Sequence, residues 1–218
     1  MEWLSTLAQA LGISYAAGIN LYATVAAVGL ADRLGVIGPL PGSLGGMASL
    51  WIILIAGALY IFEFLATLIP GVSSAWETFH SLVRPPAAAV LAAATAWQGD
   101  PGLIIGAALL GGGLALTTHT TKLGLRYAID TSPEPVTNGV ANLTDLGIVA
   151  AISMFIWNHP FIVLGMALLL LIAMVLMVRL IWRSLRRVFS GHWCPRRGFL
   201  QEPRGATSLR ATLTIDDD

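Results

Sequence analysis

The sequence is short of charge. Only 11% of its 218 residues are Asp, Glu, Lys or Arg, where a soluble domain carries about 25%, so most of the chain has little water-facing surface to cover. Cysteine is nearly absent as well. Cys194 is the one copy, which excludes an intramolecular disulfide and leaves cysteine usage silent about compartment. Met1 to Leu11 carries Glu2 and no basic residue, unlike a cleaved signal peptide, so targeting is expected to fall to the first apolar span. There is no phosphate-cradling glycine loop, no paired-carboxylate hydrolase spacing and no zincin motif. No basic and aromatic pattern points to nucleic acid. The expectation is therefore a protein that is not an enzyme and has neither cofactor, metal nor nucleic-acid partner.

What the chain has in abundance is apolar sequence: 56% of residues are hydrophobic, and mean hydropathy is +0.77. The apolar runs are continuous rather than alternating, which favours helices over a β-barrel. A crossing needs about 20 apolar residues for a core ~30 Å thick. Six candidates meet or approach this: Leu7 to Leu30, Leu50 to Ile69, Pro86 to Trp97, Leu103 to Leu125, Leu146 to Trp157 and Phe161 to Trp182. The third and fifth are too short to cross alone, and are either re-entrant or buried among the others. The expected fold class is thus an all-α polytopic membrane protein of about six transmembrane or partly re-entrant helices. Residues 1–190 are expected to form one transmembrane domain. The polar, Arg-rich stretch 191–218, ending Asp216-Asp217-Asp218, reads as a disordered cytoplasmic tail.

Orientation follows the basic residues. Arg179, Arg183, Arg186, Arg187, Arg196 and Arg197 after the last span put the C-terminus in the cytoplasm. Six crossings then put the N-terminus, Arg84, Lys122 and Arg126 on the same side, and leave only Arg33 outside. The loops Gly35 to Gly46, Gln98 to Gly102 and Asn158 to Pro160 contain no Lys or Arg and suit the outer face. Gly71 to Val83 has Trp76, Phe79 and Val83 at helical spacing and reads as an interfacial amphipathic helix. Ser132-Pro133-Glu134-Pro135 reads as a stiff turn. Gly18, Leu21, Gly29 and Leu30 recur as Gly113, Leu116, Gly124 and Leu125, a faint repeat that fits two inverted three-helix halves.

Polar residues inside such spans carry the functional signal, because lipid does not solvate them. Glu63 lies within Tyr60-Ile61-Phe62-Glu63-Phe64 and must be protonated, paired or water-facing. It is a proton or cation site, or a structural partner of His119 or Lys122. His119, Lys122 and Arg126 form one helical stripe, with Thr118 and Thr121 beside it. Arg126, and with it Lys122, can snorkel to inner headgroups, but His119 lies too deep for that. Asn20, with Thr24 one turn on, either glues helices together or lines a polar path. Gly111 to Gly113 reads as close helix packing, or alternatively as a helix break exposing backbone to a ligand. Asn142 suits an N-cap that places Asp145 in a first turn. The alternative for Asp145 is an inner gate with Arg84 or Arg126. His192-Trp193-Cys194 is too sparse for a metal site, and the arginines after Val178 suit anionic lipid.

These segments resemble a family of small bacterial and plant membrane proteins known as a domain of unknown function (DUF 4126). The resemblance runs from about Gly12 to Ile156. It rests on Gly18-Ile19-Asn20-Leu21-Tyr22, Glu63 with Ile69-Pro70-Gly71, Ala75-Trp76, Arg84-Pro85-Pro86-Ala87, His119 with Lys122 and Arg126, and Ser132-Pro133 with Asn138 and Asp145. It implies no established activity. The sequence departs from the family pattern at Thr67 and Ser73, near which the family often has acids.

The functional expectation is a small multi-pass transporter or permease of the bacterial inner membrane. Its partners would be the bilayer and a small polar or anionic solute, and a homodimer would suit so small a chain. Glu63, His119 and Lys122, joined by Asn20, would form a centre coupling protonation to solute movement. The alternative is a non-transporting scaffold, assembly or lipid-binding protein whose polar groups only specify helix packing.

Overall fold

The computed structural model describes residues 2–69, 71–130 and 135–189. Every regular element among them is helical. In chain order these are α1 (Glu2–Ile19), α2 (Leu21–Arg33), a short 3-10 turn (Leu44–Ala48), α3 (Leu50–Thr67), α4 (Val72–Thr95), α5 (Pro101–Asp130), α6 (Pro135–Asn158) and α7 (Pro160–Phe189). The described residues up to Val175 make one compact unit, and the division from a second falls within α7. Of the helices, α3, the Pro101–Leu125 part of α5 and the Val136–Asn158 part of α6 are each long and apolar enough to cross a membrane.

In the first unit α1 is the central element. Its C-terminal half, from Gly12 to Ile19, is buried throughout. Ile13, Ala16 and Ile19 form a core with Val149, Ile152 and Ile156 of α6 and Val163 and Ala167 of α7. On other sides α1 packs closely on α4 and α5 through small residues: Ala10 clusters with Ala92, Ala96 and Ala107, and Ala17 with Ala88 and Ala115. Small side chains let helix backbones approach, and polar groups then bridge them. Ser14 does so, donating from Oγ to Ala10 O at 2.9 Å and to Ala88 O of α4 at 3.1 Å.

Polarity runs from inside to outside. On α3 the buried residues are Ala56, Glu63 and Thr67, while Trp51, Leu54, Ile55, Ile61, Phe62 and Leu65 are exposed. On α4 the buried set is Ser73, Glu77, His80, Arg84, Ala88, Ala92 and Thr95, one continuous face at three- and four-residue spacing. Apolar exterior over polar interior is the arrangement lipid selects.

The boundaries expected from sequence change in four places. The first span is not one helix: at Asn20 the backbone is extended (φ −151°, ψ 110°), and α1 and α2 meet there. The interfacial helix Gly71 to Val83 and the short third span are a single helix, α4, which runs through Pro85 and Pro86. Such prolines are tolerated in membrane helices because neighbours satisfy the released backbone groups. The fifth span begins a full three turns earlier than Leu146, at Pro135, so Asn142 and Asp145 lie inside α6 and not at its first turn. The Gly111-Gly112-Gly113 triplet sits in unbroken α5, which removes the helix-break reading. A Cβ on Gly111 would lie 2.5 Å from Ser14 Oγ and 2.6 Å from Ala92 Cβ, so close packing is what this glycine serves. The repeat pairs unlike conformations, since Gly18 to Leu30 contains the break and Gly113 to Leu125 does not. Residues 131–134 of the expected turn and everything after 189, including His192, Cys194, Arg196 and Arg197, lie outside the described residues.

Candidate functional site

The helix break at Asn20 sets up the site. A helix interrupted here leaves the Ala23 N–H and the Ile19 carbonyl without each other. Asn20 Oδ1 accepts from Ala23 N at 2.9 Å, capping α2. The Ile19 carbonyl is thereby released, and it accepts from Lys122 Nζ of α5 at 2.9 Å. The other end of the Asn20 amide, Nδ2, donates to Glu63 Oε1 of α3 at 2.7 Å. One residue thus ends a helix, starts the next and joins both to buried charges. A cation at the end of α1 and a carboxylate at the start of α2 both agree in sign with the helix dipoles.

Arg84 is the hub. Wholly buried, it donates from Nη2 to Glu63 Oε1 at 2.7 Å and from Nη1 to Glu77 Oε2 at 2.6 Å, the forked geometry that suits a guanidinium between two carboxylates. Lys122 Nζ lies 3.0 Å from Glu77 Oε1, 3.0 Å from Asp145 Oδ2 of α6 and 3.8 Å from Glu63 Oε1. The cluster therefore draws on α3, α4, α5, α6 and the α1–α2 junction. Charges this deep persist only when paired and hydrogen-bonded. Two atoms in it have no hydrogen-bond partner: Glu63 Oε2 and Arg84 Nε.

His119 of α5, also fully buried, has its protonation pattern set by its neighbours. Arg84 Nη1 lies 2.9 Å from His119 Nδ1. Arginine has no acceptor, so Nδ1 accepts and carries no proton. His119 Nε2 faces the Glu77 carbonyl at 3.0 Å, a group that only accepts, and Ser81 Oγ at 3.0 Å. Nε2 therefore bears the proton, and the ring is a neutral bridge between the guanidinium and the α4 backbone. A second imidazole, His80, sits 2.8 Å from the Trp76 carbonyl through Nδ1 and 3.2 Å from the Tyr22 hydroxyl through Nε2.

Beside the cluster a pocket of about 350 Å³ opens between α1, α5 and α6. Lys122 and Asp145 form its polar edge, with Thr118, Thr121 and Thr144 nearby; Ile19, Leu125, Ala141 and Ile148 supply apolar wall, and Tyr15 adds an aromatic ring and a hydroxyl. Asp145 is the most open of the ionised groups, its side chain 20% exposed against 9% for Lys122 and none for Arg84 and Glu77.

Of the residues singled out in the sequence, Glu63, His119, Lys122 and Asn20 come together as one network, with Thr118 and Thr121 at its pocket edge. Arg84, expected as a gate or inner-face residue, joins them as the buried centre of the network. Asp145 pairs with Lys122 and not with Arg84. The side chain of Arg126 lies outside the described residues. Thr67 and Ser73, where the family often has acids, are both buried on the faces that carry Glu63 and Glu77, and Thr67 Oγ1 accepts from Asn142 Nδ2 at 2.7 Å. Sequence reasoning missed Glu77, His80 and Ser81. The signal was available as Ser73, Glu77, His80, Arg84 and Ala88 at i, i+4, i+7, i+11 and i+15. It was hidden by ending the helix before the proline pair.

Comparison with curated proteins and with solved structures gave no match. Comparison with family models gave one, over residues 7–180, a stretch that contains the whole network from Asn20 to Asp145. The chain belongs to the family described as "Domain of unknown function (DUF4126)".

Proposed function

We propose that this protein is a small proton-coupled transporter of the bacterial inner membrane, with the Glu63–Arg84–Lys122 network as its working centre. The observation that carries this reading is the interrupted α1–α2 pair, whose two ends hold Lys122 and Glu63. Helices broken at mid-membrane, with exposed backbone and a capping side chain aimed at charges, are a recurrent way to build a carrier site. A purely structural polar contact needs no such break. The pocket beside Lys122 and Asp145 supplies room for a small polar solute at the same place. Glu63 suits the proton. Its Oε1 takes both donors, from Arg84 and Asn20, while Oε2 is buried without one, so Oε2 is the oxygen left open to a proton. Counting α1 and α2 as one interrupted crossing, the reading has six spans and both termini in the cytoplasm.

The competing reading is a scaffold or assembly protein. It draws on the complete burial of Arg84 and His119, which suits a fixed register device. Proteoliposomes holding a pH-sensitive dye separate the two. Under an imposed pH gradient the wild-type protein is expected to move protons, and Glu63→Gln, with its shape and its acceptor oxygen kept, is expected to fold and to stop that movement. Equal dye traces for wild type and Glu63→Gln, both well folded, leave the scaffold reading standing.

A further inference from the structure

The donors and acceptors around the pocket are not balanced. Lys122 has three N–H donors, and three acceptors surround it: Ile19 O at 2.9 Å, Glu77 Oε1 at 3.0 Å and Asp145 Oδ2 at 3.0 Å. Its ammonium is saturated and has nothing left for an incoming anion. The hydroxyls at the pocket rim have likewise spent their protons on their own helices. Thr118 donates to Leu114 O at 2.9 Å and Thr144 to Val140 O at 2.8 Å, so both meet a ligand as acceptors. Asp145 adds a carboxylate that is only partly covered and engages Lys122 through one oxygen, Oδ2. Ile19, Leu125, Ala141 and Ile148 give the pocket apolar lining, and Tyr15 adds an aromatic ring with one hydroxyl that donates as well as accepts. Acceptors thus outnumber donors along the described lining, Asp145 supplies the negative charge, and the pocket suits a donor with positive charge at one end and hydrocarbon at the other.

We propose that the pocket between α1, α5 and α6 binds a small organic cation, an ammonium group on an apolar body, with Asp145 as its charge partner. The cavity of about 350 Å³ holds on the order of a dozen heavy atoms at the ~30 Å³ that each water molecule takes in the liquid. The ammonium donates to Asp145 and to the Thr118 and Thr144 hydroxyl oxygens, and the hydrocarbon displaces water from the apolar lining. An ammonium at Asp145 loosens that carboxylate's hold on Lys122, whose remaining partners are Glu77 and, at 3.8 Å, Glu63. Cation binding at the rim is thereby linked to the buried carboxylates. Its meaning as substrate recognition rests on the transport reading, while binding itself does not.

The test uses the full-length protein in lipid nanodiscs and calorimetric titration with hexylammonium, hexanol and hexanesulfonate, with empty nanodiscs as the blank. Hexylammonium is expected to bind at least about tenfold more tightly than either analogue, a difference of ~1.4 kcal/mol. Asp145→Asn is expected to remove that preference. Because Asp145 also holds Lys122, Ala141→Phe provides a second arm: it fills the pocket, leaves every ion pair in place, and is expected to abolish hexylammonium binding. Tighter binding of hexanesulfonate, or unchanged hexylammonium affinity in Ala141→Phe, overturns the proposal. Hexylammonium binding without Glu63-dependent proton movement keeps this site and removes the transport reading. Proton movement without hexylammonium binding does the reverse.

Discussion

Arg84 has the highest stakes of any described side chain. It is the fork between Glu63 and Glu77, and its loss takes a charge partner from two buried carboxylates at once, leaving Lys122 as their shared cation. Breaking a buried ion pair by removing one partner costs about 3–5 kcal/mol, so Arg84→Met is expected to lower the yield of monodisperse protein and its melting temperature sharply. Arg84→Lys is expected to restore little, because a single ammonium does not span two carboxylates as a planar fork does. Adding Glu63→Gln to Arg84→Met is expected to recover part of the loss, since one of two carboxylates left to share Lys122 disappears. A Met variant that melts like the wild type would show that the hub is energetically idle. Asn20 is a different kind of residue, holding a cap and a carboxylate with one amide. Asn20→Ala forfeits a cap worth about 1 kcal/mol as well as a donor to Glu63. Asn20→Asp keeps the cap but sets a second carboxylate against Glu63 Oε1, 2.7 Å from the present amide nitrogen. The aspartate is therefore expected to melt below the alanine, the reverse of the order that capping alone gives.

At the scale of elements, the glycine triplet of α5 separates packing from backbone freedom. A Cβ on Gly111 meets Ser14 and Ala92, one on Gly112 meets Ala89 Cβ at 3.1 Å, and one on Gly113 meets nothing within 4 Å. Gly111→Ala is expected to cost about 1–3 kcal/mol by forcing α5 from α1 and α4. Gly113→Ala is expected to be neutral or stabilising by up to about 1 kcal/mol, as an exposed helical glycine becomes a better helix former. Thermal melts of the two in one detergent check the contrast, and equal effects would contradict the packing described. The same helix shows what was legible in the sequence. The apolar runs announced α3 to within two residues and the start of α5 likewise, though α5 runs five residues beyond the expected Leu125, because hydropathy and span length depend on composition alone. The break at Asn20 was not legible, since Ala, Gly, Ile and Leu on either side read as one span and only the pairing with Glu63 and Lys122 makes a break worthwhile. The unity of α4 was missed for the opposite reason. Pro85 and Pro86 signal an end in water, whereas here α1 and α5 pack alongside and the helix continues. The site was legible as residue types, Glu63 and His119 within apolar runs. Its partner Glu77 was not, because it lay in a segment polar enough to be taken for an interfacial helix.

For the whole molecule, burying the network changes how charge reports orientation. Arg84 and Lys122 were counted with the inner basic residues, yet both are paired with carboxylates within the helix packing. The positive-inside rule concerns charges close to the membrane surface, so these two drop out of it. Among the described side chains, what remains is the exposed series Arg179, Arg183 and Arg186 of α7 set against the exposed Arg33 at the end of α2. That contrast still favours a cytoplasmic C-terminus, and it makes a prediction independent of transport. In a Cys194→Ala background, cysteines placed at the exposed positions Gly38, Gln98 and His159 are expected to react with a membrane-impermeant maleimide added to intact spheroplasts. In the unaltered protein, Cys194 is expected to react only after lysis. Labelling of Gly38→Cys and His159→Cys without Gln98→Cys would place both ends of α4 and α5 differently from six crossings. Labelling of Cys194 from outside would invert the molecule, and the pocket beside Asp145 would then open toward the opposite compartment.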